Sequence, residues 1–410
     1  MTVPRRVDVL VVGAGPAGLA AAARLAAAGA GRVEVLERET QPGGVPRHCA
    51  HGGFGTWTRP LTGPGYARLL TQAGERAGAT LRTGVTALDW ATAGPVLTAV
   101  GPGGPETIEA RAVVLATGAR ERPRTARLVP GTRPAGVLTS GELQQSVHLF
   151  GQQIGTRAVV AGAEDVSYAA ADTLRVAGAE VVALVTEHPR AQTGRTRAQA
   201  ARLRHGVPLL TGTTVTELLG HGRLSGVRVR HRDGRTAVLP CDTVVFTGDF
   251  VPDHELARRG GLVLDPGTRG PAVGGSAHTS RPGVFAAGNL LHAVEPAGTA
   301  AREGTRAGRA VLDFLAGAPW PDPGVPLLVS APLRWIAPNR VTPAVRPARY
   351  VLRTGTPLPH PVLYVRQDGR LLHRERLGIG PALPHRTLTL TARWHDRVDP
   401  EGGEVRVSTG

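Results

Sequence analysis

The stretch Val7–Glu37 limits the fold more than any other part of the chain. It reads Val7-Asp8-Val9-Leu10-Val11-Val12, then Gly13-Ala14-Gly15-Pro16-Ala17-Gly18, then an alanine-rich run, then Val33-Glu34-Val35-Leu36-Glu37. A short, nearly continuous apolar run suits a strand buried on both faces of a parallel sheet. The spacing therefore predicts strand, glycine turn, helix and second strand. Gly13 permits the tight turn, Gly15 lets the backbone approach a pyrophosphate, and Gly18 lets the helix close on the strand. The helix start, from Pro16 and Ala17 onward, offers unpaired N–H groups and roughly half a positive charge. Glu37 ends the second strand about twenty residues beyond the last glycine, where an acid can hold a ribose hydroxyl. A glycine triplet alone says little; here its strand, helix, second strand and acid occur in order.

Composition narrows the partners. The chain has 410 residues, enough for about two or three domains with substantial cores. Its formal charge is +16, carried entirely by arginine. A nucleic-acid surface calls for a basic stripe interleaved with stacking aromatics; aromatics are 4% and the arginines are dispersed. No stretch reads as a membrane span, since Arg24 and Gly29 interrupt the run Ala20–Ala30. Arg5, Arg6 and the apolar run after them imitate a secretion signal, but the glycine turn breaks that run, and the strand is needed in the fold. With only Cys49 and Cys241, the chain has no disulfide framework and fits a reducing cytoplasm.

Beyond Glu37 and Arg38 come Gln41-Pro42-Gly43-Gly44 and a loop holding His48, Cys49 and His51. Gly65–Gly78 reads as a helix; Leu81–Leu88 (with Val85), Val96–Val100 and Thr107–Ala110 read as short strands. Arg111–Leu115 reads as a buried strand running into Ala116-Thr117-Gly118. After an arginine- and proline-rich connector, Thr139 and Glu142 form a capping-box pattern that opens the helix Glu142–Leu149. Gly151–Gly155 reads as a linker. A second strand–turn–helix–strand unit follows: Arg157–Val160, Gly162, Tyr168–Ala177 and Glu180–Thr186. Gly162 and Gly178 repeat the spacing of Gly13 and Gly29, so the unit reads as an internal repeat. In this copy Gly15 becomes Glu164 and Gly18 becomes Ser167, and a carboxylate repels a pyrophosphate. Thr213–Leu219, Gly226–His231 and Thr236–Leu239 read as hairpin strands, and Asp242–Phe246 and Thr279–Ala287 as buried ones, the last closing at Gly288-Asn289. Pro296–Leu315, with Thr299 in its first turn, reads as a long helix. Pro319–Pro347 is proline-rich, and Tyr350–Arg353, Val362–Arg366, Leu371–Arg376, Thr387–Trp394 and Glu404–Val407 read as strands. The expected class is α/β: two Rossmann-like dinucleotide-binding domains, the second inserted in the first, and a small C-terminal all-β module. The expected boundaries are 1–150 with 270–318, 151–269, and 330–410.

The ordered set Gly13/Gly15/Gly18 with Glu37, Gly43-Gly44, Ala116-Thr117-Gly118, a second glycine turn and Val284-Phe285-Ala286-Ala287-Gly288-Asn289 resembles the two-dinucleotide-binding-domain flavoproteins, the class of glutathione and thioredoxin reductases. The resemblance covers roughly residues 5–315. Within that class, Ala116–Pro123, Gly136–Thr139 and Gln144 resemble the FAD subunits of amine and amino-acid dehydrogenases: opine oxidase, hydrogen cyanide synthase and the sarcosine oxidase alpha type. The resemblance implies FAD on the first unit, held by Gly13, Gly15, Pro16, Ala17, Gly18, Glu37, Arg38, Gly43, Gly44, Val85, Thr117, Gly118, Gly288, Asn289 and Thr299. It implies that Asn289 stands where relatives carry an acid, and that the helix at Pro296–Leu315 points its N-terminus at the flavin. NAD(P)H is left open as a second cofactor.

The implied reaction is hydride transfer from a small amine, amino acid or alcohol to flavin N5, with reoxidation by oxygen, a quinone or a protein partner. The alternatives are an NAD(P)H-dependent flavin reductase and a non-catalytic flavin-binding subunit of a larger complex. His48, Cys49 and His51 lie where the resemblance puts substrate against flavin, and a histidine there can take a proton; His292 and Glu295 are second candidates. Two histidines and one cysteine fall short of a zinc site. The glutathione-reductase cysteine positions are occupied by Pro46 and His51, and thiol exchange uses two adjacent sulfurs, so the expectation is an FAD-dependent oxidoreductase that is not a disulfide reductase. The expected partners are a small-molecule substrate and an electron-transfer or second subunit, with no nucleic acid.

Overall fold

The computed structural model describes residues 4–91, 94–342, 345, 347, 349–378, 380–384 and 386–410. The chain divides into two compact units: residues 1–47, 52–119 and 251–410, and residues 48–51 and 120–250.

The first unit is built on the opening stretch. β1 (Arg5–Val12) runs parallel to β2 (Val33–Glu37), with Val9 opposite Val33 and Val11 opposite Val35. α1 (Pro16–Ala27) crosses between them, with Pro16 in its first turn and Leu19, Ala21, Ala22 and Leu25 buried. Thr80–Thr83 extends the sheet beyond β2, and Gly104–Leu115 extends it beyond β1. The two separate strands expected at Thr107–Ala110 and Arg111–Leu115 are one strand of 12 residues. No turn residue separates them, and the single strand pairs antiparallel with Val96–Gly101 and parallel with β1. Val284–Ala286 returns late in the chain to the same strand, Val284 opposite Val113. The expected strand Leu81–Leu88 is two, Thr80–Thr83 and Thr86–Trp90, broken at Gly84, whose φ is +68°. One side of the sheet buries Val9, Val11, Val35 and Phe285 against α1, through Leu19, and against the helix Ala297–Leu315. The other buries Leu10, Leu36, Leu97 and Ile108. Each fully buried leucine contributes about 1.5–3 kcal/mol. The helix Gly63–Arg76 starts two residues earlier than expected, because the Thr62 hydroxyl caps it by accepting from the Gly65 N–H.

The C-terminal strands form two sheets in this unit. One has the order Arg340–Val341, Val325–Val329, Val405–Thr409, Val362–Gln367, Arg370–Arg376; the other is Leu333–Ala337, Arg349–Thr354, Leu388–Thr391. Leu327, Leu352, Leu363, Val365 and Trp394 fill their core, with Tyr350 stacked on Trp394 at 5.1 Å. The proline-rich stretch therefore contributes strands of its own, Val325–Val329, with Val325 and Leu327 buried, and Leu333–Ala337, buried at all but Arg334; its residues 343, 344 and 346 lie outside the described set.

The second unit has a parallel sheet in the order Val137–Thr139, Thr243–Phe246, Arg157–Ala161, Glu180–Val185, Leu209–Leu210, and an antiparallel sheet Thr213–Leu219, Gly226–His231, Thr236–Pro240. The Thr139–Glu142 capping box is formed, and it opens the helix Ser140–His148. The repeat's helix runs from Asp165 to Val176, starting before Tyr168 because Glu164 is its N-cap. A further helix, Arg195–His205, is arginine-rich and has no apolar stripe to reveal it in the sequence. No described helix is long and apolar enough to cross a membrane.

Candidate functional site

The glycine turn after β1 is a cradle. α1 has Gly15 as its N-cap and no side-chain cap, which leaves its first-turn amides to a ligand. A side chain on Gly18 would collide with the Gly13 carbonyl, whereas no atom lies within 4 Å of where one on Gly15 would sit. The Gly43 N–H donates to the Ala14 carbonyl at 2.8 Å. A Cβ on Gly44 would lie 2.8 Å from the Gly15 Cα, so this loop closes on the turn only as glycine. Glu37 is buried at the end of β2, where its carboxylate accepts from the Ala14 and Glu39 N–H groups, both at 3.0 Å. It ties the turn to β2. The Val85 N–H donates to the Glu37 carbonyl at 2.9 Å. Arg38 is exposed, 3.5 Å from Asp253. Asp253 also fixes the next strand end, accepting from the Thr117 hydroxyl at 2.7 Å and donating to the Gly118 carbonyl at 2.9 Å through its own backbone. Gly118, like Gly15, faces open space.

Gly288 adopts a φ of +75°, and a Cβ on it would lie 2.6 Å from the Ala17 Cβ. Gly304 approaches Ala17 so closely that a side chain would strike its carbonyl. The late helix Ala297–Leu315 therefore sits directly on the start of α1. Thr299 lies in its first turn, its hydroxyl accepting from Arg302 at 2.9 Å. An uncapped, glycine-lined helix start with open space before it suits the pyrophosphate of a dinucleotide cofactor.

Asn289 begins the loop in front of the late helix. Its side-chain amide donates to the Glu295 carbonyl at 3.1 Å and accepts from the Glu295 N–H at 2.9 Å, so it clasps the loop in front of the helix. Within that loop His292 is buried, 2.9 Å from Glu303, and stacks on Trp335 at 5.2 Å. Burial lowers the His292 pKa, but the facing Glu303 and Glu295 carboxylates outweigh it and hold it above the ordinary histidine value. His292 Nδ1 and Glu303 Oε2 are buried without a hydrogen-bond partner among the described residues. Glu295 is buried too, paired with Arg353 at 2.8 Å and accepting from the Thr387 hydroxyl at 2.6 Å. Arg353, Thr387, Trp335 and Glu303 carry no signal in the sequence. Arg353 and Glu295 are 58 residues apart, and only folding brings them together.

His48, Cys49 and His51 belong to the second unit. His48 and Cys49 are buried and His51 is half-buried. The Cys49 thiol donates to Gln144 Oε1 at 3.5 Å. Burial, with the Glu121 carboxylate near it, pushes this thiol up to about 12. The described residues contain no group of three or more metal-ligating side chains.

The second glycine turn differs from the first in what fills it. The Glu164 N–H donates to the Ser167 hydroxyl at 3.0 Å, and that hydroxyl donates to Glu164 Oε2 at 2.9 Å. The Ser167 hydroxyl also meets Thr247 at 2.6 Å. A Cβ on Gly248 would lie 3.3 Å from the Glu164 carboxylate. The carboxylate thus rests over Gly162 and Gly248, in the position that the first turn leaves open.

The sequence pattern described as "Pyridine nucleotide-disulphide oxidoreductase" matches residues 7–304. The flavoproteins of this family bind FAD and use NAD(P)H. An opine oxidase subunit of Rhizobium meliloti is 30% identical over 324 residues, covering 69% of this chain and 58% of the relative. The chain thus spans about three fifths of the length of that relative. Thioredoxin reductase of Mycolicibacterium smegmatis is 32% identical over 307 residues, covering 73% of this chain and 94% of that enzyme. Among solved structures, the thioredoxin reductase of T. acidophilum superposes with a TM-score of 0.64 at 23% identity, covering 76% of this chain and all of that one; this likeness concerns the fold.

These similarities correct one expectation. Cysteine spacing argued that the chain is not a disulfide reductase, but a thioredoxin reductase is among its relatives and the fold is that of thioredoxin reductases. Counting thiols on this chain tests one route of disulfide exchange, through an adjacent pair of its own. It leaves untouched the flavin fold that the disulfide reductases share with it.

Proposed function

The chain belongs to the pyridine nucleotide-disulphide oxidoreductase family, and on that premise we propose that it oxidises a small amine, amino acid or alcohol, with FAD as the first electron acceptor and oxygen, a quinone or a protein partner as the next. The observation that carries the FAD site is the open cradle at Gly15, closed by Gly44 on one side and by Gly288 on the other. The amine-oxidising direction draws on the similarity to the opine oxidase of Rhizobium meliloti.

When bound, FAD supplies the hydride acceptor; the protein supplies orientation and charge. In this reading Gly13, Gly15 and Gly18 bring the α1 amides to the pyrophosphate, and Glu37 receives the ribose through the acceptor capacity its two backbone hydrogen bonds leave over. Thr117 and Gly118, pinned by Asp253, line the next strand end. Val85 and Arg38 flank the adenosine side, and Thr299 stands where the late helix turns its positive end toward the ring. His48 and His51 remain candidate proton acceptors within the second unit, and their neighbour Cys49 stays a thiol, its pKa pushed up to about 12.

A second reading, an NAD(P)H-driven reductase, is favoured by the similarity to thioredoxin reductase. The visible spectrum of the purified protein tests the premise: absence of flavin absorbance defeats both readings. Anaerobic bleaching by an amine, amino acid or alcohol supports the first. Bleaching by NADH or NADPH, followed by reoxidation with a disulfide, supports the second and defeats the first.

A further inference from the structure

We propose that the C-terminal β-module positions the FAD site, with Arg353 as the positioning residue that holds the loop Asn289–Pro296 in front of the helix Ala297–Leu315. The inference rests on the FAD reading above.

The loop is fastened from two directions. On the sheet side, Asn289 clasps the Glu295 backbone through both ends of its amide, and His292 is held by Glu303 at 2.9 Å. Gly288, next in sequence to Asn289, touches the start of α1 and so the cradle itself. On the module side, Arg353 donates to Glu295 Oε1 from Nη2 at 2.8 Å and from Nε at 3.2 Å, and Nη2 also donates to the Val294 carbonyl at 2.7 Å. Thr387 takes the other carboxylate oxygen at 2.6 Å, and Trp335 lies flat on His292, with 12° between the rings.

The Glu295 side chain is 2% exposed. A carboxylate this deep has no water to solvate it, and losing one partner strands it. Without Arg353, Glu295 must turn toward water, and the Glu295 backbone that Asn289 clasps must move with it. The disturbance then reaches Gly288 and the helix start, which this reading places at the flavin. A module that only covered the first unit would need neither a fork of three hydrogen bonds into one loop nor a buried acid to receive them.

The test uses the full chain as wild type, Arg353→Gln, Arg353→Lys and Thr387→Val. Three quantities are read: flavin retained per polypeptide after desalting, the visible spectrum and midpoint potential of that flavin, and near-ultraviolet circular dichroism from the Tyr350–Trp394 stack as a measure of the folded module. With the dichroism preserved, Arg353→Gln is expected to weaken flavin retention about tenfold or more and to shift the flavin spectrum. Arg353→Lys should restore part of the retention, and Thr387→Val should weaken it about threefold. Wild-type retention, spectrum and potential in folded variants would overturn the inference. If Arg353→Gln does not fold, Arg353→Lys and Thr387→Val decide by the same readouts. A wild type that binds no FAD when it is supplied overturns the FAD reading, and the inference with it.

Discussion

The Ser167 hydroxyl donates to the Glu164 carboxylate at 2.9 Å, across the mouth of the second glycine turn. The matching pair in the first turn is Gly15 and Gly18, where no such bond can form. The repeat thus keeps its backbone and replaces an open cradle with a charged, hydrogen-bonded one. Glu164→Gly removes that negative charge and the atoms over Gly162 and Gly248, so this variant is expected to bind NADH or NADPH about tenfold more tightly than the wild type, or ~1.4 kcal/mol. Fluorescence titration of the nicotinamide nucleotide checks it; equal or weaker binding refutes it.

Two glycines of the first turn separate folding from binding. Alanine at Gly18 would strike the Gly13 carbonyl and should destabilise the protein by about 1–3 kcal/mol or more, as overpacking does. Alanine at Gly15 meets nothing within 4 Å and keeps a φ of −80°. It should leave stability within about 0.5 kcal/mol while lowering FAD retention. Denaturant melts of the flavin-free protein, set beside flavin stoichiometry, resolve the two effects. Equal loss of stability in both variants would sink the distinction.

His292 gives stability a pH dependence. Burial opposes its charge, but Glu303 and Glu295 raise its folded-state pKa above the unfolded value of about 6.5. A group raised on folding stabilises fully below its unfolded pKa, and the contribution is lost as pH rises through its folded pKa. Wild-type stability should therefore decline from about pH 6.5 upward relative to His292→Gln, whose side chain does not titrate. Melting temperatures of both proteins between pH 5.5 and 9 measure this, and parallel curves would contradict it.

Both thiols are buried, Cys49 pushed up to about 12 and Cys241 to about 11. Each is raised first by burial, then by a neighbouring carboxylate, Glu121 and Asp242 respectively. The thiolate is the reactive form. At pH 8 the native protein should therefore react with a chromogenic disulfide reagent far more slowly than the unfolded chain, which should release both thiols at once. Rapid native labelling of Cys49 would show that the thiol is more accessible than its contact with Gln144 implies.

Local chemistry made much of the architecture readable. An apolar run such as Val9–Val12 has few ways to satisfy its backbone except in a buried strand, and Gly18 is dictated by the carbonyl of Gly13 beneath it. The Thr139–Glu142 box was readable because its partners lie three residues apart. The strands within the proline-rich stretch and the arginine-rich helix Arg195–His205 were not, because proline density and charge mask their periodicity.

The sequence by itself determined the two glycine turns, the acid at the end of β2 and the loss of two glycines in the repeat, because each is a matter of backbone sterics and charge within a few residues. Tertiary structure alone decided where Glu164 puts its carboxylate, that Asn289 clasps its own loop, and that Arg353 reaches Glu295. Those pairings depend on side-chain direction or on strands far apart in the chain. Burial then gives them their force, since a carboxylate excluded from water must find its partner inside the fold.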